Sequence, residues 1–172
     1  MHIIYWLLVL LGLVFVASVV IGLLFSFTGV WERMDNASQI AARERIRLAQ
    51  FGCFVMGTRV VVGGQQNFLG VAFGPHLWMR RRDFGLPFLT SEGFPEAVAR
   101  QVEGQIMAGY RLQISGDRNF LEGVFIPYRV EFSSEPPRVT AMHAQPPVPR
   151  KYRRIEMILD KEVAGVSQGV AD

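Results

Sequence analysis

The first 27 residues contain an uninterrupted apolar run that constrains what the rest of the chain can do. From Ile3 to Phe27 the 25-residue stretch IIYWLLVLLGLVFVASVVIGLLFSF has no charged side chain. As an α-helix it would be roughly 37 Å long, and a bilayer core about 30 Å thick needs about 20 apolar residues. Tyr5 and Trp6 at one end and Trp31 at the other suit the interfacial aromatic belts. The sequence therefore predicts a single-pass transmembrane anchor over residues 1–29.

The flanks of this run indicate that the anchor is retained and how it is oriented. A cleaved signal peptide has a basic segment before a shorter apolar core, whereas only Met1 and His2 precede this run. Four arginines lie between residues 33 and 47, and no Lys or Arg precedes Ile3. The positive-inside rule then favours a cytoplasmic C-terminal domain. The lone Cys53 agrees with this, because it excludes a disulfide framework.

Residues 30–50 are predicted to form a juxtamembrane linker with a short helix. Asp35 or Asn36 can cap a helix start, and the apolar residues at 37, 40, 41 and 48 fall near one face. The intervening arginines would be solvated, or would meet anionic lipid headgroups.

From Phe51 onward the pattern becomes typical of β-strands. Residues 51–64 are rich in β-branched and aromatic side chains punctuated by Gly. In NFLGVAF, the residues at 69, 71 and 73 alternate with those at 68, 70 and 72. Further strands are predicted within 75–85, 110–115, 119–132 and 139–142, and a last strand or short helix at 153–160. A change of apolar phase beside Pro127 predicts a bulge or bend, since proline cannot donate to a ladder.

A single helix is expected between these strands, over residues 94–107. Phe94, Val98, Val102 and Ile106 recur every four residues, and Pro95 suits a first helical turn. We therefore predict an α+β fold. One N-terminal transmembrane helix is followed by a small antiparallel β-rich domain over residues 51–160, either a barrel or a half-open sandwich, with one packed helix. Residues 161–172 are expected to be a flexible tail.

A repeated pattern also lies within the predicted strands. The stretches GQQNFLGVAFGP from Gly64 and GDRNFLEGVFIP from Gly116 share Gly, Asn, Phe, Leu, Phe and Pro at a constant offset of 52 residues. Arg59 and Arg111 extend the match. Turn and strand preferences alone could produce the likeness, and so could duplication of a hairpin. Both explanations predict two similar hairpins, and duplication also predicts that the equivalent Phe residues pack on a shared core.

Three short features are candidates for membrane or partner contact. Ser18 and Gly22 form a small-x-x-x-small pair in the apolar run, which lets helices approach closely. Two runs are basic, namely Arg80-Arg81-Arg82 and Arg150-Lys151-Tyr152-Arg153-Arg154. Either run could form a solvated face, bind anionic lipid or bind an acidic protein. Nucleic acid is not expected as a partner, because a net charge of +3 gives no broad electropositive footprint.

The sequence contains no recognisable catalytic or cofactor-binding motif. GVSQG, from Gly165 to Gly169, matches a nucleophile elbow in letters, but only three residues follow it and none is His. His76 and His143 stand apart from any Cys/His cluster, so no zinc site, other metal site or cofactor is expected. Cys53 is expected to be a small core residue.

These observations favour a membrane-anchored, non-catalytic accessory or scaffold subunit that docks on a larger membrane protein complex. The alternative is a β-barrel at the membrane surface that binds a lipid or another small apolar ligand. An enzyme would require His76 or His143 to meet an acid or Cys53 in a cleft.

Overall fold

The computed structural model describes residues 2–34 and 44–155, apart from the side chains of residues 18, 19, 21 and 23. Within these ranges there are three helices, α1 (His2–Leu24), α2 (Leu86–Ser91) and α3 (Glu96–Val102). The strands of the same ranges are β1 (Gly29–Arg33), β2 (Arg45–Phe51), β3 (Phe54–Val61), β4 (Gly64–Phe73), β5 (His76–Phe84), β6 (Ile106–Ile114), β7 (Phe120–Ser134), β8 (Pro137–Ala144) and β9 (Val148–Ile155).

Eight of these strands close into an antiparallel β-barrel. Hydrogen-bonded neighbours follow the order β6-β5-β4-β3-β2-β1-β9-β7, and a further pairing of β6 with β7 joins the two ends. β8 lies outside the ring and pairs with the second half of β7, from Tyr128 to Ser134. Closure removes the exposed strand edges that would otherwise template aggregation. Of the two predicted architectures, the barrel is therefore the one observed.

The alternation of side chains along β4 shows how the sequence builds this wall. Gln66, Phe68 and Ala72 are buried, whereas Leu69 and Phe73 are exposed. Successive side chains of a strand point to opposite faces, so the first three line the barrel interior. The predicted alternation is confirmed.

The interior is filled by side chains from every strand of the ring. Its buried hydrophobic members are Phe27, Trp31, Ile46, Leu48, Val55, Phe68, Ala72, Leu77, Met79, Ala108, Tyr110, Leu112, Ile114, Leu121 and Tyr152. Gly57 makes room among them, because a Cβ at that position would overlap the Leu48 side chain and lie 3.4 Å from the Phe68 Cβ. Large and small side chains thus interdigitate as a packed core requires.

A second, smaller core lies where α2 and α3 pack near the extension formed by β7 and β8. Leu89, Val98, Val102 and Val130 are buried in it. The predicted single helix over 94–107 is therefore too long, and α2 was not foreseen. Gly104, with φ +73°, follows α3, and Ile106 already belongs to β6.

The main correction to the sequence-based expectations concerns the predicted transmembrane anchor. The chain is helical from His2 to Leu24, but Phe25 and Phe27 pack with the barrel core, and Phe27 and Trp31 are completely or almost completely buried there. Residues of the apolar run thus belong both to α1 and to the barrel core. Trp31 is a core residue rather than an interfacial one. None of the helices in the described ranges meets the length and hydropathy needed to cross a membrane, so the prediction of a transmembrane helix is wrong.

The predicted linker helix is also wrong where the structure describes it. Residues 45–51 form β2, with Ile46 and Leu48 facing the core and Arg45 and Arg47 facing outward. The sequence RIRLAQF alternates with period two, which is the period of a half-buried strand. The boundary predicted at residue 51 is therefore displaced, because β1 and β2 belong to the barrel. Residues 35–43 and the predicted tail over 161–172 lie outside the described residues.

The two repeated stretches do form hairpins, β3–β4 and β6–β7, but they are not equivalent. Phe68 is buried inside the barrel, whereas at the matching position Phe120 is half-buried and its neighbour Leu121 enters the core. Phe73 is 68% exposed, whereas Phe125 packs against the core. Residues at equivalent positions of the two stretches thus lie on opposite faces of the barrel wall. The prediction of two similar hairpins with equivalent Phe residues on a shared core is therefore wrong.

At Pro127 the long strand β7 changes partners. Residues up to Pro127 pair with β6, and from Tyr128 the strand pairs with β8, with a register shift between Glu131 and Phe132. The bulge predicted beside Pro127 is displaced, because the register shift lies four residues farther along β7. The strands predicted at 75–85, 110–115 and 139–142 are confirmed.

Candidate functional site

The first basic run is divided between the two faces of β5. Arg80 and Arg82 are exposed on the outside of the barrel, whereas Arg81 points inward and pairs with Asp83, Nε to Oδ1, at 2.9 Å. Alternation along a strand separates neighbours in this way. The run is therefore not one basic patch.

The second run, on β9, is divided similarly. Tyr152 is buried in the core, and the guanidinium of Arg154 lies 4.6 Å from the centroid of the Trp31 ring while its Nη2 donates to the Ser26 carbonyl at 2.6 Å. On the outer face, Arg153 contacts Glu32 and Lys151 contacts Glu122. Arg150 lies over the Phe125 ring, 5.1 Å from its centroid. The side chains of this run therefore contact other residues of the barrel.

Inside the barrel, at the end away from α1, charged side chains form a network that the sequence did not reveal. Glu44 accepts from Tyr152 Oη at 3.2 Å and from Arg33 Nη1 at 3.3 Å. Arg59 lies 3.8 Å from Glu44 and donates to Gln66 Oε1 at 3.1 Å. Where water is largely excluded, removing one member of this network would leave its partner unpaired, which is costly.

Burial also shifts the pKa values of titratable side chains in the barrel interior. It raises the pKa of Asp83, although Arg81 beside it opposes the change. It also raises the pKa of Tyr110 to about 12, and it raises the pKa of Tyr152, again mainly through desolvation. Burial penalises the charged form of an acid. Burial therefore keeps both phenols protonated beyond the pH at which a free tyrosine ionises.

The predicted helix-pairing motif in α1 meets the barrel of its own chain. Gly22 of α1 packs against the turn between β2 and β3. A Cβ added to Gly22 would be 3.0 Å from the Gly52 oxygen and 3.4 Å from Gln50 Nε2. Gln50 in turn accepts from the Phe27 backbone N–H at 2.8 Å. The small residue thus seats α1 against this end of the barrel, hereafter the α1 end. Ser18 is within α1, and its side chain lies outside the described atoms.

The outer wall at the α1 end exposes a contiguous set of large apolar side chains. They lie in register across β2 to β5: Phe51 opposes Phe54, Phe54 opposes Val71, and Val71 opposes Trp78. A second row places Met56 opposite Leu69, and Phe73 ends β4. We call this set the tip patch: Phe51, Phe54, Met56, Leu69, Val71, Phe73 and Trp78. All seven are exposed by at least two fifths of their surface.

Arginines border the tip patch on one side. Arg111 opposes Trp78 on β6, and Arg80 opposes Leu69 one row farther from α1. Arg82 follows in the next row. Within the described chain, no carboxylate lies within ion-pair distance of these three guanidinium groups. Along β5 the wall therefore changes from apolar at Trp78 to basic at Arg80 and Arg82, and Arg111 lies beside Trp78 on β6.

The residues that an enzyme would need are dispersed. His76 stacks on Trp78 with ring centroids 6.4 Å apart, and His143 lies 3.8 Å from Glu131 on an exposed surface of the extension. Cys53 is half-buried in the β2–β3 turn rather than in the core as predicted. Among the described residues, no group of three His, Cys, Asp or Glu side chains could hold a metal ion.

Comparison with protein-family models, with curated proteins and with solved structures finds no match to this chain.

Sequence reasoning named Arg80 and Arg82 but missed the tip patch beside them. Alternation predicts two faces without saying which one is buried, and both faces of β4 are apolar. The exposed aromatic residues near the turns, such as Phe51 and Phe73, were the available signal, since a purely solvated wall would carry polar side chains there.

Proposed function

We propose that this protein is a non-catalytic accessory or scaffold subunit, located at a membrane, that docks on a larger membrane protein complex through α1. The observation that carries the proposal is the surface of α1. Apart from the half-buried Val9, its large apolar side chains from Ile3 to Val16 are exposed, by roughly three fifths in most cases. Contiguous apolar surface of this size marks an interaction site.

The occupant that we propose is the apolar helical surface of a membrane protein partner. α1 contacts its own barrel near its C-terminal end, where Gly22 meets the β2–β3 turn. The filled barrel interior supports a structural rather than a catalytic role for the rest of the chain. The cytoplasmic placement of the barrel stays a prediction from the sequence, and protease protection in oriented vesicles tests it. Nucleic acid is not part of this proposal.

The experiment captures the tagged full-length chain from gently solubilised membranes and measures the size of what is recovered. We expect an assembly much larger than the 19.4 kDa chain. The double variant Leu8→Lys/Leu11→Lys, which places charges on α1, should be recovered without it.

A matched control carries the same change at the other end of the barrel. Val60→Lys/Val62→Lys also replaces two exposed apolar residues, which are 83% and 96% exposed near the β3–β4 turn. This control should keep the assembly. Recovery of wild type only as a free monomer, or equal loss in both variants, would contradict the proposal.

A second candidate function follows from the closed eight-stranded ring. Barrels of this strand number are filled by side chains or hold one small ligand, which suits a lipid or another small apolar molecule. Entry would require displacement of core residues such as Phe68 and Tyr110. Fatty-acid titration with Trp fluorescence as readout tests this candidate, and a saturable response lost in Ala72→Phe would favour it over the subunit role.

A further inference from the structure

We propose that the tip patch and its bordering arginines form a second contact site, which seats the α1 end of the barrel in an anionic lipid surface. The inference rests on the membrane location proposed above but not on the identity of any partner protein. Three independent features of the structure support it.

The first feature is the gradation of the outer wall. Trp78 and Phe54 lie in the apolar row, and Arg80 lies two residues beyond Trp78 along β5, about 7 Å farther from α1. Interfacial segments bury their apolar side chains about 5–10 Å into the boundary between headgroups and acyl chains. The apolar row would therefore reach that boundary while the guanidinium groups of Arg80 and Arg82 stay at the level of the phosphates, and Arg111 flanks the row at Trp78.

The second feature is charge complementarity. Arg80, Arg82 and Arg111 are exposed and have no carboxylate partner in the described chain, so each can bind a lipid phosphate. A basic residue near an anionic leaflet is attracted to it within a Debye length. A purely apolar protein partner would leave these three charges desolvated and unpaired, which is unfavourable.

The third feature is continuity with α1. Gly22 seats the helix on the β2–β3 turn, whose flanking residues Phe51 and Phe54 begin the tip patch. α1 and the tip patch are therefore neighbours at one end of the barrel. The opposite end carries the charged interior network and the α2–α3 pair instead.

The test places a spin label on the full-length chain reconstituted in phosphatidylcholine vesicles with and without phosphatidylserine. Single cysteines at Phe73→Cys, in the tip patch, and Val62→Cys, at the opposite end, are made in a Cys53→Ser background. Collision with oxygen reports lipid, and collision with a water-soluble nickel chelate reports water. We expect the label at 73 to be exposed to oxygen and shielded from nickel in phosphatidylserine vesicles, and the label at 62 to show the reverse.

Charge variants separate the contribution of the arginines. Some molecules have the tip patch immersed in lipid and others have it in water. Arg80→Gln/Arg111→Gln should lower the ratio of the first population to the second about tenfold or more in phosphatidylserine vesicles. The matched pair Arg129→Gln/Arg138→Gln, on the β7–β8 extension, should leave that ratio unchanged. Quenching of Trp78 by brominated lipids, taken as the difference between wild type and Trp78→Phe, gives the same answer without any cysteine change.

A label at 73 that stays accessible to nickel in every vesicle would overturn the inference. If the capture experiment succeeded in that case, the tip patch would be covered by protein and the subunit proposal would stand. If the tip enters lipid but no assembly is captured, the subunit proposal fails and the lipid contact stands.

Discussion

Single residues join neighbouring strands of the barrel, and Glu32 is the clearest case. Its carboxylate lies between two arginines of neighbouring strands, 3.1 Å from Arg45 Nε and 3.5 Å from Arg153 Nη2. The Glu32 side chain is 5% exposed, whereas both arginines are about half exposed. One buried negative charge thus joins β1 to both of its neighbours, β2 and β9.

Replacing Glu32 by Gln should lower the free energy of unfolding by about 1–2 kcal/mol, because two like charges then face each other across β1. Denaturant unfolding of the purified chain measures the change. Glu96→Gln is the control, since Glu96 and Arg100 form an exposed pair on α3, and its effect should stay below about 0.5 kcal/mol. Equal effects of the two variants on the free energy of unfolding would mean that the shared Glu32 carboxylate contributes no more stability than an exposed ion pair does.

Tyr110 gives a prediction about pH. Burial raises the pKa of Tyr110 to about 12, so its folded-state pKa lies above the unfolded value of about 10. The stability contributed by the protonated phenol is therefore fully present below about pH 10 and is lost as the pH rises through about 12. When phenolate absorbance is followed as the pH is raised, a step should appear at high pH. In Tyr110→Phe the amplitude of this step should be smaller by the absorbance of one tyrosine. Complete ionisation by pH 11 with the barrel still folded would contradict this.

At the scale of elements, close approach between strands decides where glycine is needed. Gly70 on β4 faces β5, and a Cβ there would overlap the Trp78 carbonyl oxygen and lie 2.6 Å from Met79 Cγ. The obstructing oxygen belongs to the backbone of a paired strand and cannot move independently. The β4–β5 ladder therefore depends on the absence of a side chain at residue 70.

Gly70→Ala should consequently destabilise the barrel by about 2–3 kcal/mol through overpacking. Thermal unfolding followed by circular dichroism measures it. In Gly116→Ala, in the β6–β7 turn, an added Cβ would meet no heavy atom within 4 Å, so this variant should unfold close to wild type. A wild-type melting curve for Gly70→Ala would refute the packing argument.

The elements also show what could be predicted from the sequence. Strands with regular alternation, such as β4, were predicted correctly because period two is a local property. β2 was mistaken for helix because Leu48 also fits a helical stripe with residues 37, 40 and 41, and only pairing with β1 and β3 selects the strand. The network around Glu44 joins residues more than 100 positions apart, so no local pattern could reveal it.

At the scale of the whole molecule, the chain divides its polarity between two ends. The α1 end combines the exposed helix with the tip patch, whereas the opposite end encloses paired charges such as Glu44 and Arg59. Part of this division was visible as the apolar run before residue 27. The run could not show that Phe27 and Trp31 belong to the barrel, because core and lipid select the same side chains.

The most direct measurement is site-specific photo-crosslinking in intact membranes. A photoreactive phenylalanine analogue is placed at Leu11 of α1, which is 67% exposed, and separately at Val62 near the β3–β4 turn. We predict that Leu11 forms a covalent adduct with a specific membrane protein and that Val62 does not. An α1 that yields no protein adduct at Leu11 or at the neighbouring exposed residue Phe15 would contradict the role of this chain as a docked subunit.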